Sequence, residues 1–598
     1  MTSCVDPSLA TLSSFGLDLI SFGDSLHSGL IIGQVSQWLP VWLTPIWVLS
    51  LALVFGLLAA VVVYGVLSLL SFVPGLGNLA DHSKTGITAS LILGALFSVV
   101  LCSQYVPIAG EYAGTLFMPL IAIGLLLGFA VVYGMWHRTR SEWSAMFSEG
   151  VVPYILSTAG VFALIGLAST PLVDNPGGIL ESVKAVNLVG DGTERRVVSI
   201  EATPEVPAAE TPFFPAGIDY QLRNVSELTI ESDRTIMLSD AAEPSEFSRT
   251  PIRVNEGEPL VYRLEDRDES PVPLDPEMLH IQNREIDPAE VVFTFKNRPL
   301  VPQASSIVWG GVSFFLLISA MMVFRQAAPR VWALALSTAK NEMAQPLYLL
   351  LLSIGLFGIL LFGIIPFNTL GDDIRLLKDS GVTLIMVLGM LLAVWSAGTS
   401  VSEEIEGRTA LTVLSKPVSR RSFILGKYAG IMLSVLVLFV ILSAVLAVVV
   451  SYKPIYDARE FSRGTTDWQT GHEEIMTTLP VIGLYFMQTM AIGAIAVALA
   501  TRLPLLANFI TCFVIYVIGN LTSPLVASDR GENVLVGFVG KLIAVVIPNL
   551  NVFNVQSAVD AGNQIPMIYL AGAFNYLVCF AFAIWMLAML LFEDRDLA

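Results

Sequence analysis

Glycine-containing strings that could bind a nucleotide occur at three places in this sequence. Gly75, Gly77 and Ala80 form a G-x-G-x-x-A string, which binds a dinucleotide when a strand precedes it and a helix follows it. This string lies in a short connection between two apolar runs, so we interpret it as a turn. Gly426-Lys427 and Gly540-Lys541 are followed by Tyr and Leu, whereas a Walker A loop requires Ser or Thr after the lysine. We therefore expect that the chain does not hydrolyse ATP by itself.

Acidic residues and cysteines do not form a recognisable metal or catalytic site. Asp266 and Asp268 form one D-x-D pair and Asp594 and Asp596 form another, and we interpret both as solvated charges. The cysteines at positions 4, 102, 512 and 579 stand singly, without the C-x-x-C spacing or the nearby histidine pair of a zinc site. We expect no catalytic residue, no metal and no other cofactor.

The elements that must position any functional residue are membrane helices. Of the 598 residues, 54% are hydrophobic and 14% are charged, and the mean hydropathy is +0.71, whereas a soluble protein of this size carries more charge. A helix that crosses a bilayer needs about 20 apolar residues. We count eleven such runs, at 46–73, 86–108, 115–136, 151–172, 305–324, 347–366, 381–399, 428–451, 481–500, 504–525 and 567–592. The sequence predicts an all-α polytopic membrane protein.

Almost no ionisable residue lies within these runs, although ion-coupled transporters and proton pumps place such residues in the membrane. The polar side chains of the runs are mainly amides, and we expect them to form hydrogen bonds between helices. They are Gln104, Gln488, Asn508, Asn520 and Asn575. If the protein moves a solute uphill, the energy must enter from elsewhere.

One long acidic insert interrupts the apolar runs. The formal net charge is −18, and segment 173–303 holds 25 acidic and 12 basic residues, which leaves no basic face for a nucleic acid. Short alternating runs between Pro, Gly and Asp predict an antiparallel β-rich domain of the sandwich kind. They are RRVVSIEA (195–202), SELTIES (226–232), LVYRLED (260–266) and VVFTFKN (291–297).

The distribution of basic residues predicts the orientation in the membrane. With the N-terminus outside, the inner loops hold 13 Lys and Arg residues and the short outer loops hold seven, among them Lys378 and Lys453. Short loops rich in Lys and Arg remain in the cytoplasm, whereas long domains are exempt from this rule. We expect the N-terminus and the acidic insert outside and the C-terminus inside.

The inner loop between the seventh and eighth runs has a distinctive pattern. Ser400 and Glu403 fit a capping box, so we expect a short helix to begin at Ser400 and to end before Lys416-Pro417. Ser419 is suited to cap a second short helix. The sequence thus predicts two short helices, joined by a rigid corner, that project into the cytoplasm.

This loop, EEIEGRTALTVLSKPVSRRSFILGKYAG (403–430), resembles the cytoplasmic loop of ABC-2 type permeases, in particular the class that includes permeases linked to multicopper enzyme maturation and gliding motility. The likeness extends over about 325–592. It implies an amphipathic elbow helix at Pro329 to Gln345, six membrane helices after it, and a re-entrant hairpin within Val534 to Ile565. It also implies that a separate ATPase subunit docks on the loop.

The resemblance assigns the ATPase-coupling role to twelve residues. They are Glu403, Glu404, Glu406, Gly407, Arg408, Thr409, Leu414, Lys416, Pro417, Ser419, Arg420 and Arg421. It further implies a non-catalytic permease subunit in the cytoplasmic (inner) membrane that exports its cargo and forms a dimer with itself or with a second permease.

The first half of the chain departs from that family. We divide the sequence into an N-terminal four-helix membrane region (1–172), the acidic extracytoplasmic domain (173–303), a fifth span with the elbow helix (304–346), and a six-span permease domain (347–598) with its coupling loop at 400–427. The extra regions leave a second hypothesis open. The chain would then be an envelope assembly scaffold that binds a protein partner through its extracytoplasmic domain without moving a solute.

Overall fold

The computed structural model describes residues 38–593 except 74, 185–192, 202–211, 221–224, 264–269, 274, 284, 286, 300, 366–372, 407–418, 461–465, 528–546 and 556–563. Contacts divide the chain into two compact units. Met1–Asp174 and Gly310–Ala598 together form the membrane unit, and Asn175–Trp309 forms the β-rich unit.

Long apolar helices build the membrane unit. Its N-terminal part contains α1 (Trp38–Leu70), α2 (Ser83–Tyr105), α3 (Ala113–Gly134), α4 (His137–Ser148) and α5 (Val152–Ala168). A short helix, α6 (Pro176–Lys184), begins the β-rich unit, and α7 (Ser305–Ala327) leads back to the membrane unit. The following helices are α8 (Pro329–Ala344), α9 (Pro346–Ile364), α10 (Asp373–Ala397), α11 (Glu403–Glu406), α12 (Arg420–Glu460), α13 (Trp468–Ala500), α14 (Leu505–Ala527) and α15 (Met567–Glu593).

Helix length and composition identify a multi-pass membrane protein. Within the described part of the chain, nine helices are long and apolar enough to cross a bilayer. Each of the eleven predicted runs falls on a helix, but those at 151–172 and 504–525 correspond to shorter apolar stretches, Val152–Ala168 and Leu505–Leu521. The prediction of a mostly helical membrane protein with a small β region is therefore confirmed, whereas the count of eleven spans stays a prediction.

The turn prediction for the G-x-G-x-x-A string is confirmed. The string follows α1 in a series of turns, and Gly75 has a φ of +104°, which L side chains rarely adopt. The backbone N–H of Leu76 donates to the carbonyl of Val73, as in a turn, and no strand precedes the string in the described residues 38–80. A dinucleotide fingerprint would require that strand.

Polar side chains join the N-terminal helices to the rest of the membrane unit. The indole Nε1 of Trp42 donates to the carbonyl of Val448 at 3.2 Å, and Asn575 Nδ2 donates to the carbonyl of Thr115 at 2.8 Å. Buried residues such as Tyr64 and Ile155 belong to the same apolar core as Leu442. The N-terminal helices thus pack with the later helices as one body.

The expected hydrogen bonds between helices are present at several of the amides. Gln488 Nε2 of α13 lies 3.5 Å from Asn520 Oδ1 of α14, and Asn508 Nδ2 of α14 donates to the carbonyl of Ala496 at 3.1 Å. Together with the bond from Asn575, these contacts confirm that the amides link helices, as side-chain amides do in apolar surroundings.

The β-rich unit contains two antiparallel four-stranded sheets. The strands are β1 (Thr193–Ile200), β2 (Phe214–Pro215), β3 (Val225–Ser232), β4 (Ile236–Ser239), β5 (Ile252–Val254), β6 (Leu260–Arg263), β7 (His280–Asn283) and β8 (Ala289–Asn297). One sheet has the order β1-β8-β3-β6 and the other β2-β7-β4-β5. Leu228 and Phe293 of the first sheet and Ile236 and Ile281 of the second are buried in one core. The four alternating runs of the sequence form the first sheet, which confirms the β prediction.

Strand pairing explains the alternation in those runs. In β8, residues Val291, Phe293 and Phe295 are buried, and the residues between them are at least partly exposed. β8 lies between β1 and β3, with Phe293 opposite Arg196 and Ile230. Because a central strand of this sheet has one face on the core, its sequence alternates more regularly than the short strands of the second sheet.

Candidate coupling site

The predicted coupling loop begins on a helix that does not break at Ser400. α10 continues through a π-helical turn, Gly398–Ser402, into α11, and together they form one apolar stretch, Asp373–Ile405. The Ser400 hydroxyl donates to the carbonyl of Ser396 at 2.6 Å, four residues back. The capping-box prediction at Ser400 is therefore wrong, because this hydroxyl bonds backwards within a continuing helix instead of capping a new one.

The helix that follows the loop begins at the predicted residue. The backbone N–H of Ser422 donates to Ser419 Oγ at 3.1 Å, and the two hydroxyl oxygens lie 2.9 Å apart. Ser419 is thus the N-cap of α12. However, α12 is a single helix of 41 residues, so the predicted second short helix is the first part of the eighth span and not a separate element.

Of the twelve residues predicted to couple to an ATPase subunit, the structure describes five with their side chains. Glu403 is exposed at the start of α11, Glu404 is half-buried, and Arg420 and Arg421 are exposed at the start of α12 after Ser419. Glu406 ends α11, and its side chain is outside the described part. The remaining predicted residues also lie outside the described residues. They are Gly407, Arg408, Thr409, Leu414, Lys416 and Pro417.

An ion pair joins the two ends of the loop. Lys427 Nζ of α12 lies 2.5 Å from Glu404 Oε1 of α11, and the Lys427 side chain is only 7% exposed. The ammonium group also lies 5.7 Å from the centre of the Phe423 ring. Because a buried lysine requires a partner for its charge, this pair fixes the end of α11 against the second turn of α12.

The elbow helix contributes a second buried carboxylate. Glu342 of α8 is 1% exposed, and its Oε2 accepts a hydrogen bond from the Ser396 hydroxyl of α10 at 2.6 Å. Its other oxygen, Oε1, is buried without a hydrogen-bond partner among the described residues. Removal from water raises the pKa of Glu342 to about 7, although the hydrogen bond from Ser396 and the charge of Lys427 act in the opposite direction.

Close packing of α8 on α12 brings Glu342 to this position. An added Cβ at Gly430 would lie 2.5 Å from the carbonyl oxygen of Ala335, and one at Gly426 would lie 2.7 Å from the Leu334 Cβ. Glycines spaced by four allow two helices to approach this closely. The predicted elbow helix at Pro329 to Gln345 is confirmed as a helix, which packs along the first three turns of α12.

Two arginines attach the last helix to the same end of the unit. Arg420 Nη1 donates to the carbonyl of Phe592 at 3.3 Å, and Arg502 Nε donates to the carbonyl of Leu591 at 2.7 Å. Cations are favourable at the C-terminal end of a helix, where carbonyl groups carry partial negative charge. We call this end of the unit, marked by Glu404, Arg420 and Phe592, the coupling end.

Buried charges also lie at the opposite end of α10 and α12. Sequence analysis places Lys378 and Lys453 in short loops, but both lie within helices. Lys378 Nζ is 2.6 Å from Glu474 Oε2, and Lys453 Nζ is 3.0 Å from Asp457 Oδ1. The loop placement is wrong because the helices extend beyond the apolar runs. Ion pairs compensate for the buried charges, one between α10 and α13 and one within α12.

A group of carboxylates at that opposite end has the geometry of a metal site. Ligand oxygens of Asp373, Asp457 and Glu460 lie within 4.8 Å of one another. Lys453 Nζ is also 3.5 Å from Asp373 Oδ2 and is almost fully buried. Because the Lys453 ammonium group occupies part of this site and Glu460 is exposed, we do not assign the group to a cation.

The re-entrant hairpin predicted within Val534 to Ile565 falls largely outside the described residues. Its described part contains one helical turn, Leu550–Phe553, whose two end residues are fully buried. The Tyr576 hydroxyl of α15 accepts a hydrogen bond from the backbone N–H of Asn549 at 2.9 Å. The hairpin itself stays a prediction.

Sequence analysis missed Glu342, although a signal was present. Val331, Ala335, Thr338 and Glu342 have the 4-3-4 spacing of one helix face and are all buried. A carboxylate on the apolar face of an amphipathic helix indicates a buried polar contact.

In comparisons with known proteins, no protein-family model and no curated protein matches this chain.

Proposed function

We propose that this chain is the membrane-spanning subunit of an ATP-driven transporter, of the ABC-2 type, and that a separate ATPase subunit docks on residues 403–421. The observation that carries the proposal is the contact between Glu404 and Lys427. It joins the two long helices that enter and leave this segment, so a force applied to the segment acts on both helices together.

The dimensions of these helices suit a lever. The stretch Asp373–Ile405 has 33 residues and α12 has 41, which correspond to about 50 Å and about 60 Å at 1.5 Å per residue. Both exceed the thickness of a bilayer, about 30 Å of hydrocarbon. A displacement at Glu403 or Arg420 would therefore move the far ends, where Lys378 and Lys453 form their ion pairs.

Glu342 connects the elbow helix to the same movement. Its hydrogen bond to Ser396 ties α8 to α10, while the glycines of α12 pack against α8. We infer that α8, α10 and α12 move as one body when the ATPase subunits close. The proposed orientation puts the coupling end in the cytoplasm, and the transporter would be a dimer in the cytoplasmic membrane that exports its cargo.

Co-purification tests this proposal. The tagged chain is expressed with candidate ATPase subunits, beginning with any encoded in a neighbouring reading frame, and the complex is isolated in detergent. We expect a partner to co-purify with the wild-type chain and to be lost from the double variant Glu403→Lys, Arg421→Glu. The variant Glu149→Lys, which alters an exposed charge outside the segment, serves as the control. Equal recovery of the ATPase subunit with the double variant would contradict the proposal.

The β-rich unit supports a second candidate, an assembly scaffold. Asn175–Trp309 has its own apolar core between two sheets, as a module that binds a partner protein would. Reconstitution into vesicles distinguishes the two functions. A transporter subunit gives ATP-dependent flux of its cargo, whereas a scaffold gives partner binding without flux.

A further inference from the structure

An apolar groove lies just inside the coupling end of the membrane unit. The first turns of α12, the last turns of α13 and the last turns of α15 enclose about 330 Å³, within the range of roughly 300–1,000 Å³ of ligand pockets. Leu425, Val497 and Trp585 each line it from a different helix. Tyr428 and Trp585 are the two lining residues with a polar side-chain group. The Tyr428 hydroxyl donates to the carbonyl of Met490.

Three arginines, which we call the rim, lie next to the helices that line this groove, two at the start of α12 and one just after the end of α13. Arg420 and Arg502 donate to consecutive carbonyls of α15, those of Phe592 and Leu591, so both side chains reach the same end of that helix. Arg421 follows Arg420 and is exposed, and Leu425 in the groove lies one helical turn below Arg421. Among the described side chains, basic groups therefore lie next to an apolar space.

The Leu591 carbonyl that accepts a hydrogen bond from Arg502 is neutral and does not balance the charge of that guanidinium group. Among the described side chains, neither Arg421 nor Arg502 forms an ion pair with a carboxylate. A guanidinium group has five N–H donors in a planar arrangement that matches phosphate oxygens. In Arg502, the bond from Nε to the Leu591 carbonyl uses one of these donors and orients the others.

We propose that this groove binds one acyl chain of an anionic phospholipid, whose phosphate group is bound by Arg421 and Arg502. The surrounding solvent of these helices is lipid, so a phospholipid is the molecule that supplies both an acyl chain and a phosphate at this depth. Basic pockets between membrane helices bind acidic headgroups in the same way. This inference goes beyond the proposed function. Arg421 also belongs to the segment proposed to dock an ATPase subunit, and the test below therefore uses the purified chain alone.

Quenching by brominated lipids tests the proposal, because Trp585 lines the groove. The purified full-length chain and its Trp585→Phe variant are titrated in mixed micelles with phosphatidylglycerol or phosphatidylcholine that carry the same brominated acyl chains. The difference between the two proteins gives the quenching of Trp585. We expect half-quenching at a mole fraction of phosphatidylglycerol at least about five-fold lower than that of phosphatidylcholine, the effect of roughly one arginine at an anionic surface.

Variants of the rim separate headgroup recognition from simple filling of the groove. In the double variant Arg421→Gln, Arg502→Gln we expect both lipids to quench Trp585 alike, since the apolar groove remains. The variant Arg421→Lys, Arg502→Lys should keep most of the preference, and Arg330→Gln, an exposed arginine of α8, should keep all of it. Equal quenching by the two lipids in the wild-type chain, or an unchanged preference in the double glutamine variant, would overturn the proposal.

Discussion

Burial of Glu342 makes the stability of the membrane unit depend on pH. Its pKa is about 7 in the folded chain against an ordinary value of 4.5, so the folded state binds more protons than the unfolded state between these values. The contribution of Glu342 is fully present below about pH 4.5 and is lost as the pH rises through 7. We expect the variant Glu342→Gln to lack this loss, which amounts to roughly 1–3 kcal/mol.

Thermal unfolding in detergent at pH 5 and pH 8 measures this difference. The unfolding temperature of the wild-type chain should fall further between the two pH values than that of Glu342→Gln. Glu149→Gln, which removes an exposed carboxylate, should behave like the wild-type chain. If Glu342→Gln and the wild-type chain lose the same stability between pH 5 and pH 8, Glu342 does not take up a proton in the folded state.

The pair of Glu404 and Lys427 gives a second prediction at this scale. We expect Lys427→Met to lower the free energy of unfolding by roughly 1–3 kcal/mol, because it leaves a half-buried carboxylate without its cation. The double variant Glu404→Gln, Lys427→Met should lose less than the sum of the two single variants. The exposed pair of Arg263 and Glu227 provides a control with a coupling of about 1 kcal/mol or less. An additive double variant would contradict a direct contact between Glu404 and Lys427.

Single residues were the least predictable part of this site. Glu403, Ser419 and Arg420 stand out in the sequence between two apolar runs. The cap at Ser419 is confirmed, and the coupling role of Glu403 and Arg420 stays a prediction. Glu342 could not be assigned a partner, because its contact with Ser396 joins two helices 54 positions apart in sequence. Sequence patterns report which face of a helix is buried, but they do not report against which neighbour.

At the scale of elements, the packing of the elbow helix on α12 depends on Gly430. We expect Gly430→Ala to lower the free energy of unfolding by roughly 1–3 kcal/mol, because the added Cβ would lie 2.5 Å from the backbone oxygen of Ala335 and force the helices apart. At Gly483 of α13 an added Cβ meets nothing within 4 Å. Gly483→Ala should therefore be neutral or stabilising by up to about 1 kcal/mol.

Thermal unfolding of the two variants beside the wild-type chain checks this prediction. The informative quantity is the difference between Gly430→Ala and Gly483→Ala, since both make the same chemical change in a helix. Equal unfolding temperatures for the two variants would show that α8 does not lie against Gly430.

Two serines at the ends of the coupling loop test where its helices begin. Ser419→Ala should lower the free energy of unfolding by about 1 kcal/mol, because Ser419 caps α12. Ser400→Ala should have a smaller effect, because this hydroxyl only bonds back to the carbonyl of Ser396 in a continuing helix. Chemical denaturation of both variants measures the difference, and a larger loss for Ser400→Ala would restore the helix start predicted there.

The error at Ser400 has a physical cause. A serine followed three residues later by glutamate is compatible with a capping box and also with the interior of an apolar helix, where the hydroxyl bonds to a carbonyl four residues back. The local sequence does not distinguish the two. Ser419 was predicted correctly as a helix cap. Pro417 disfavours the helical conformation at Lys416, so a helix that contains Arg420 is expected to begin after Lys416.

At the scale of the whole molecule, composition was sufficient to predict the class of protein, but it was not sufficient to predict how the helices pack. The apolar runs located each of the nine membrane-length helices of the described residues, because length and hydropathy alone decide whether a segment is suited to a membrane. They did not indicate that the N-terminal helices share one core with the helices of 310–598. The individual strands of the second sheet of the β-rich unit were also missed, because strands of two to four residues are too short to show alternation.

The shared core has a consequence for the proposed transporter. Asn575 of the last helix donates to the carbonyl of Thr115 of α3, and Trp42 of α1 donates to Val448 of α12. These bonds link the extra helices to the proposed lever. We therefore expect α1–α3 to follow the movement of α12 and not to act as an independent anchor.

Photo-crosslinking tests the central claim, that an ATPase subunit binds this chain at residues 403–421. A benzophenone amino acid is introduced at Glu403, at Arg421 and, at the opposite end of α10, at Arg375, and each chain is co-expressed with the candidate ATPase subunit. After irradiation we expect covalent adducts with the ATPase subunit from positions 403 and 421 and none from position 375. Adducts from position 375 alone, or from none of the three in a complex that still co-purifies, would contradict the account.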